Sequence, residues 1–323
     1  MSAHLLRGSL RTAFAMAIVA TASVAAAAET KLVVGKAAAT ADPIIAVNVG
    51  DKLGLFKKHG LELSIVDFTG GSKMTQAMVA GSIDIGDGAG TEMAHTAKGA
   101  PMLAVCENTT TLPFISIGVP WDSPLKSIKE LKGKKVGISS AGSLTDWLAK
   151  ELERKEGWGT DAIMRVPIGN GPASSTAAFR DHLIDADIGG TSTFLAMEEK
   201  KVGRVLAPVS SYEGAVASGT IFASDQLIKT NPGALRSFLA AWIETTTFIR
   251  THKAETVKIE SAITGFSESV MSKEYDIVIS MFTKDCRFDA ESLATLQRSF
   301  VDLKLLDKAP DMSKLYTEAY LPK

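Results

Sequence analysis

The chain is poor in the groups on which most enzyme chemistry relies. Its 323 residues include only 2 cysteines, 5 histidines and 7% aromatics, and the formal net charge is −1. No Cys-x-x-Cys pair or His/Cys cluster at metal spacing occurs, so neither a structural zinc nor any other metal is expected. A glycine-rich phosphate loop and a serine elbow are also missing. Cys106 and His95 have no evident third partner, so an enzyme would lack a nucleophile–base pair, and no cofactor is implied. The near-neutral balance gives nothing to draw in nucleic acid or an anionic membrane. A chain this long buries real cores and does not need disulfides. Cys106 and Cys286 therefore read as small buried hydrophobes, although a bond between them is permitted outside the cytoplasm.

The one long apolar stretch is at the start. Arg7 and Arg11, the run Ala13 to Ala22 and the small residues Ala26-Ala27-Ala28 have the form of a secretory signal peptide over 1–28. No lipobox cysteine and no twin-arginine pair accompany it, so a soluble exported protein is expected, secreted to the periplasm. Removing 1–28 takes two basic residues and leaves 295, with 33 Lys and Arg against 36 Asp and Glu, a net charge of −3.

What the chain does have is a stretch said twice. Residues 80–99 read as a helix end, a short strand Ile83-Asp-Ile-Gly86, a glycine turn and a second helix. Glycine reaches backbone conformations closed to other residues, and a strand–turn–helix start exposes N–H donors to a ligand. Ile83-Asp84-Ile85-Gly86 returns as Ala186-Asp187-Ile188-Gly189, and both aspartates lie 19 residues before a Leu-Ala pair. Val33-Val34-Gly35 and Lys135-Val136-Gly137 precede them at similar spacing. A period near one hundred residues is too long for a solenoid and predicts two α/β lobes with a cleft between them. Asp84 and Asp187 read as twin structural residues accepting backbone hydrogen bonds at strand edges.

Strand and helix patterns alternate up to the proline-rich segment 119–124, where the character changes. The expected division is a first lobe of 29–118 and 219–323, its C-terminal part helical, and a second lobe of 119–218. Two crossings between lobes make a hinge, and hinges permit closure on a ligand.

Several motifs resemble one family. Leu53-Gly-Leu-Phe-Lys-Lys-His-Gly-Leu61, Gly70-Gly-Ser-Lys-Met74, Ala80-Gly-Ser-Ile-Asp84 and Ser127-Ile-Lys-Glu-Leu-Lys-Gly-Lys-Lys-Val-Gly137 are similar to the nitrate/sulfonate/taurine-type substrate-binding proteins of ABC importers. The thiamine-pyrimidine binding proteins belong to the same wider group. The resemblance implies an α/β, two-lobe periplasmic binding protein fold of the type II-like, two-crossing kind, with the ligand held between the lobes. It implies a protein that is no enzyme and delivers a small organic solute or oxyanion to permease and ATPase subunits; a monomer is the default expectation. Site positions carried over are Thr40, Asp42, Ser72, Lys73, Asp87, Gly88 and Ala89 in the first lobe, and Ser139, Ser140, Ser143, Asn170 and Thr191 in the second, with Ser116 by the hinge. Hydroxyls and helix starts dominate this set. No arginine is placed to grip an anion with both prongs, and Asp42 and Asp87 would repel one, so an amine, a heterocycle or a zwitterion stays open. Trp147, near the serine turn, is a candidate for stacking on a ligand. An exported enzyme on the same fold and a ligand-sensing subunit are the alternatives.

Overall fold

The computed structural model describes Met1, residues 29–40 and residues 43–323; apart from Met1, the expected signal peptide lies outside them. Strand β1 (Thr30–Lys36) leads through α1 (Ala46–Lys52) and α2 (Leu55–Lys58) to β2 (Leu61–Asp67). Then come α3 (Gly71–Val79), β3 (Ile85–Gly88), α4 (Met93–Ala97) and β4 (Met102–Thr109). The second half runs β5 (Ile115–Pro120), β6 (Lys135–Ile138), α5 (Leu144–Lys155), β7 (Met164–Pro167), α6 (Pro172–Arg180), β8 (Ala186–Gly190), α7 (Thr191–Glu199) and β9 (Gly203–Pro208). The chain ends with β10 (Gly219–Ser224), α8 (Asp225–Thr230), α9 (Pro232–Thr251), α10 (Lys253–Thr264), α11 (Glu268–Val278) and α12 (Ala290–Asp302). Side-chain caps mark the helix starts that the sequence signals: Ser143, Ser224, Asn231, Ser267 and Asp289 each accept from a backbone N–H in the first turn.

Two five-stranded sheets have the same construction. The orders are β2-β1-β3-β10-β4 and β7-β6-β8-β5-β9. In each, three parallel strands are followed by one that arrives from the other half and runs antiparallel to both neighbours: β10 in the first sheet, β5 in the second. Strand β5 thus belongs wholly to the second sheet, and the expected first-lobe end at 118 is corrected to the segment 110–114. The apolar residues of 115–119 are buried against β8 and β9, which is why pairing carries them over. The return crossing, 209–218, lies beside the first. Val216 N–H donates to Thr110 O at 2.9 Å and Ser218 Oγ to Thr111 O at 2.7 Å.

Register corrects the repeat by two residues. Gly35 pairs with Gly86 and Gly137 with Asp187. Val33 N–H donates to Asp84 Oδ2 and Lys135 N–H to Asp185 Oδ2, both at 2.8 Å. Asp84 is therefore a structural strand-edge aspartate as read, but its counterpart is Asp185. Asp187 occupies the place of Gly86 and is free for other work.

The C-terminal helices do more than cover the first sheet. Leu293, Leu296 and Phe300 of α12 join the core of Met74, Met78 and Met93. The end of α12 also reaches the second half, where Trp147 Nε1 donates to Asp302 Oδ2 at 3.2 Å and Lys150 Nζ to Asp302 O at 2.9 Å. Helix α11 touches α7, with Ser192 N–H donating to Glu274 Oε1 at 3.0 Å. Cys106 and Cys286 form a disulfide, contrary to their reading as separate buried hydrophobes. The bond ties β4 to the segment before α12. Glu107 N–H donates to Cys286 O and Thr283 N–H to Asn108 O, so this segment covers a sheet edge that would otherwise be bare.

Candidate functional site

A cavity of about 90 Å³ lies between the halves, at the C-terminal ends of the parallel strands. Open α/β sheets present their ligands with donors at this end, because loops and helix starts converge there. The first half lines it with Ala37, Ala38 and Thr40 after β1, Gly71 at the start of α3, and Ala89 and Glu92 after β3. The second half brings Ser139, Ser143 and Thr145 after β6, Asn170 and Gly171 after β7, Ser175 from α6, and Asp187 and Thr193. Phe114 and Ser218 come from the two crossings. The halves touch across it: Asn170 Nδ2 donates to Ala37 O at 2.9 Å and Ser72 Oγ to Ala141 O at 3.2 Å. At roughly 10–15 Å³ for each water, the space holds about six to nine waters, which suits a small solute better than a flavin-sized one.

Among the described residues its polarity comes from hydroxyls, the Asn170 amide and two carboxyls, and none of the lining residues is Lys, Arg or His. The hydroxyls of Ser139, Ser143 and Thr145 hydrogen-bond one another at 2.9–3.1 Å. Glu92, only 4% exposed, follows the glycine turn and fills space left by Gly71 and Gly88. A Cβ on Gly71 would overlap Glu92 Oε1, so the carboxyl rests against the first residue of α3. Burial pushes it up to about 7, against weaker pulls from backbone N–H groups and the Thr91 hydroxyl. Asp187, 3% exposed, accepts from Ser175 Oγ at 2.6 Å, and burial pushes it up to about 6.

Beneath the first half's floor lies Lys36, its ammonium 1% exposed, 3.0 Å from Asp67 Oδ1 and donating to Ala39 O. Asp87 is fully buried beside it, and neither carboxyl oxygen has a hydrogen-bond partner. Burial holds Asp87 well above the usual carboxylate range, with Lys36 pulling it down and Glu92 adding to the rise.

Of the residues singled out in the sequence, the structure brings Thr40, Ala89, Ser139, Ser143 and Asn170 together on the cavity wall. Asp42 lies outside the described residues. Ser72 makes its cross-cleft bond without lining the cavity, and Lys73 turns to Thr69 Oγ1 at 2.8 Å. Asp87 and Gly88 sit behind the wall. Ser116 and Thr191 bond each other at 2.8 Å, and Thr191 also donates to Pro113 O, so both serve the crossing. Ser140 packs against Gly70, its hydroxyl buried without a partner. Trp147 is buried off the cavity with its indole on Asp302. Glu92, Ser175 and Thr193 are not among the sequence candidates, and Asp187 is among them only as a residue read chiefly as structural. The signal for Glu92 was its place at the end of the glycine turn; for Asp187 it was the second aspartate in Ile184-Asp-Ala-Asp187, where the first half has one.

The NMT1/THI5-like family matches residues 43–256, more than half of the chain. The chain belongs to that family. A protein of Brucella abortus (strain 2308) whose name goes no further than "binding protein" is 27% identical over 217 residues. The match covers 65% of this chain and 65% of that relative, so this NMT1/THI5-like chain spans less than two thirds of its length. Among solved structures, the alkanesulfonate-binding protein SsuA of Xanthomonas axonopodis pv. citri, bound to MOPS, superposes with a TM-score of 0.77. The identity is 20%, over 90% of this chain and 99% of that one. The periplasmic aliphatic sulphonate binding protein SsuA of Escherichia coli gives 0.69 at 22% identity, over 90% and 92%. At these identities the likeness establishes the periplasmic binding protein fold. Among the described residues no helix is long and apolar enough to cross a membrane.

Proposed function

We propose that this NMT1/THI5-like protein is the solute-binding component of an ABC importer, working in the periplasm. It captures a small solute in the cavity and presents it to permease and ATPase subunits. The observation that carries this is the cavity's placement: two sheets of like construction close over it and are joined by adjacent crossings at 110–114 and 209–218. Rotation about those crossings would open one wall from the other. A binding reading is favoured over turnover by the lining, which among the described residues holds no histidine or cysteine to serve as base or nucleophile. Both cysteines are spent on the disulfide.

The test is thermal melting of residues 29–323 against amines, amidines, aminated heterocycles, alkanesulfonates, taurine and nitrate. A ligand at 100 times its Kd adds about 2.7 kcal/mol and a shift of several degrees. Recovery of the stabilising compound unchanged supports capture, whereas its consumption would establish an enzyme.

A further inference from the structure

Resting on this cleft as the capture site, the geometry points to a cargo that offers a cationic or multi-donor nitrogen group to Glu92 and Asp187, and not to an oxyanion. The class comprises small amines and amidines.

A strong anion site needs cations, and among the described residues this cleft has none on its wall. The nearby ammonium, Lys36, lies behind the wall on Asp67. The start of α3, the natural anion position in the first half, already has the Glu92 carboxyl against Gly71. At the start of α5, in the second half, Ser143 Oγ accepts from Asp146 N–H and Asp146 Oδ2 from Gly142 N–H at 2.9 Å. The start of α5 is satisfied from within, and a carboxyl stands where an anion would sit at the start of α3.

The opposite inventory is open. Asp187, 97% buried and on the cavity wall, is met by one side-chain donor, Ser175 on Oδ2. A buried carboxyl with so little hydrogen bonding is costly unless something arrives to supply more. The fold itself does not ask for this group. The corresponding pair in the first half is Gly86 under Met74, an apolar contact, because α3 and α6 are both nine residues long with Met74 and Ser175 fourth in each. Likewise Thr193 stands where the first half has Glu92, each four residues after the matching glycine, Gly189 or Gly88. One acidic group per half, at non-equivalent positions, faces the cavity from opposite walls.

Titration calorimetry on residues 29–323 tests this, in two buffers of different ionisation enthalpy near pH 7. The probes are acetamidine and putrescine on one side, and nitrate and methanesulfonate on the other. Binding of a nitrogen probe with release of protons is expected, because a donor or cation draws the carboxyls into their charged form. Glu92→Gln and Asp187→Asn should each weaken it at least tenfold, with folding checked by melting. Binding of an oxyanion with proton uptake, or binding that either variant leaves unchanged, overturns the inference while leaving capture intact. No binding by either class overturns the capture reading itself. The sign of the proton exchange needs no variant, so a misfolded mutant does not blunt the test.

Discussion

Glu92 makes the stability of the empty protein depend on pH in a direction opposite to that of an ordinary salt-bridged carboxylate. Burial raises its folded value from 4.5 to about 7, so the folded chain holds this proton more tightly than the unfolded chain. Its contribution is fully present below pH 4.5 and is lost as pH rises through 7. At about 1.36 kcal/mol for each pH unit, the loss is about 3 kcal/mol, most of it between pH 5 and 8. Asp187, raised to about 6, and Glu107, raised to about 7 with Ser292 and Asp289 as its partners, act in the same sense. His95 opposes them, since burial lowers it and its charging works against the fold as pH falls. Substituting Glu92→Gln isolates one group from this sum. Urea unfolding of wild type and variant at half-unit steps from pH 5 to 8 should give curves that diverge by about 3 kcal/mol across the range, the variant being relatively more stable at pH 8. Parallel curves would refute the placement of an uncompensated carboxyl at this site.

Three further outcomes follow from named contacts. Cys106 and Cys286 are 180 residues apart, and their bond restrains the unfolded chain by about 5 kcal/mol at most on the loop-entropy account. Reduction, or the double substitution to Ser, should lower the denaturant midpoint accordingly yet leave cargo affinity unchanged, because both residues lie away from the cavity; coincident oxidised and reduced melts would count against it. Asp302→Ala removes the acceptor of the Trp147 indole across the two halves. A hydrogen bond to a charged group is worth about 1.5–3 kcal/mol, so cargo affinity read by calorimetry should fall at least about tenfold, and an unchanged Kd would show that this contact does not hold the closed form. Gly71→Ala drives a methyl into Glu92 Oε1 and should cost about 1–3 kcal/mol in a chemical melt. The double variant Gly71→Ala/Glu92→Ala should recover most of that loss, and strict additivity would place the strain elsewhere.

Much of this architecture was legible because it is written in short-range patterns. Apolar strand cores of four to seven residues, glycine stops and Ser or Asn caps occur at the boundaries where the chain turns. The echo around Asp84 showed that the motif occurs twice before any pairing was known. What could not be read was longer in range. The passage of β5 into the second sheet depends on partners about 70 and 90 residues later, β8 and β9, and nothing local in Ile115-Ser-Ile-Gly-Val119 says which sheet will accept it. The bracing of the second half by α11 and α12 depends on single side chains such as Asp302 and Glu274. The site was half legible for the same reason. Serine turns announce themselves at helix starts, so Ser139 and Ser143 stood out, and glycines point to close approach. A glutamate behind a glycine turn looks like any first-turn acid until Gly71 is seen to leave room for it.

The repeat explains why the acids escaped notice and why they matter. Sequence matching set Ile-Asp-Ile-Gly against Ala-Asp-Ile-Gly, which made Asp187 the twin of a structural residue and so dismissed it. Hydrogen bonding sets Asp84 against Asp185, each accepting from the middle one of its sheet's three parallel strands at 2.8 Å, and leaves Asp187 opposite a glycine. Two halves that share register, helix length and glycine positions act as controls for each other. Where both carry the same chemistry, as with Ile83 and Ile184 packed on Gly35 and Gly137, the fold accounts for it. Where one half has a carboxyl and the other has glycine, methionine or threonine, the fold is shown to do without the acid. Glu92 and Asp187 both meet that condition, and both are buried at a cost that folding alone does not return. A bound donor in the cavity between them is what would offset it.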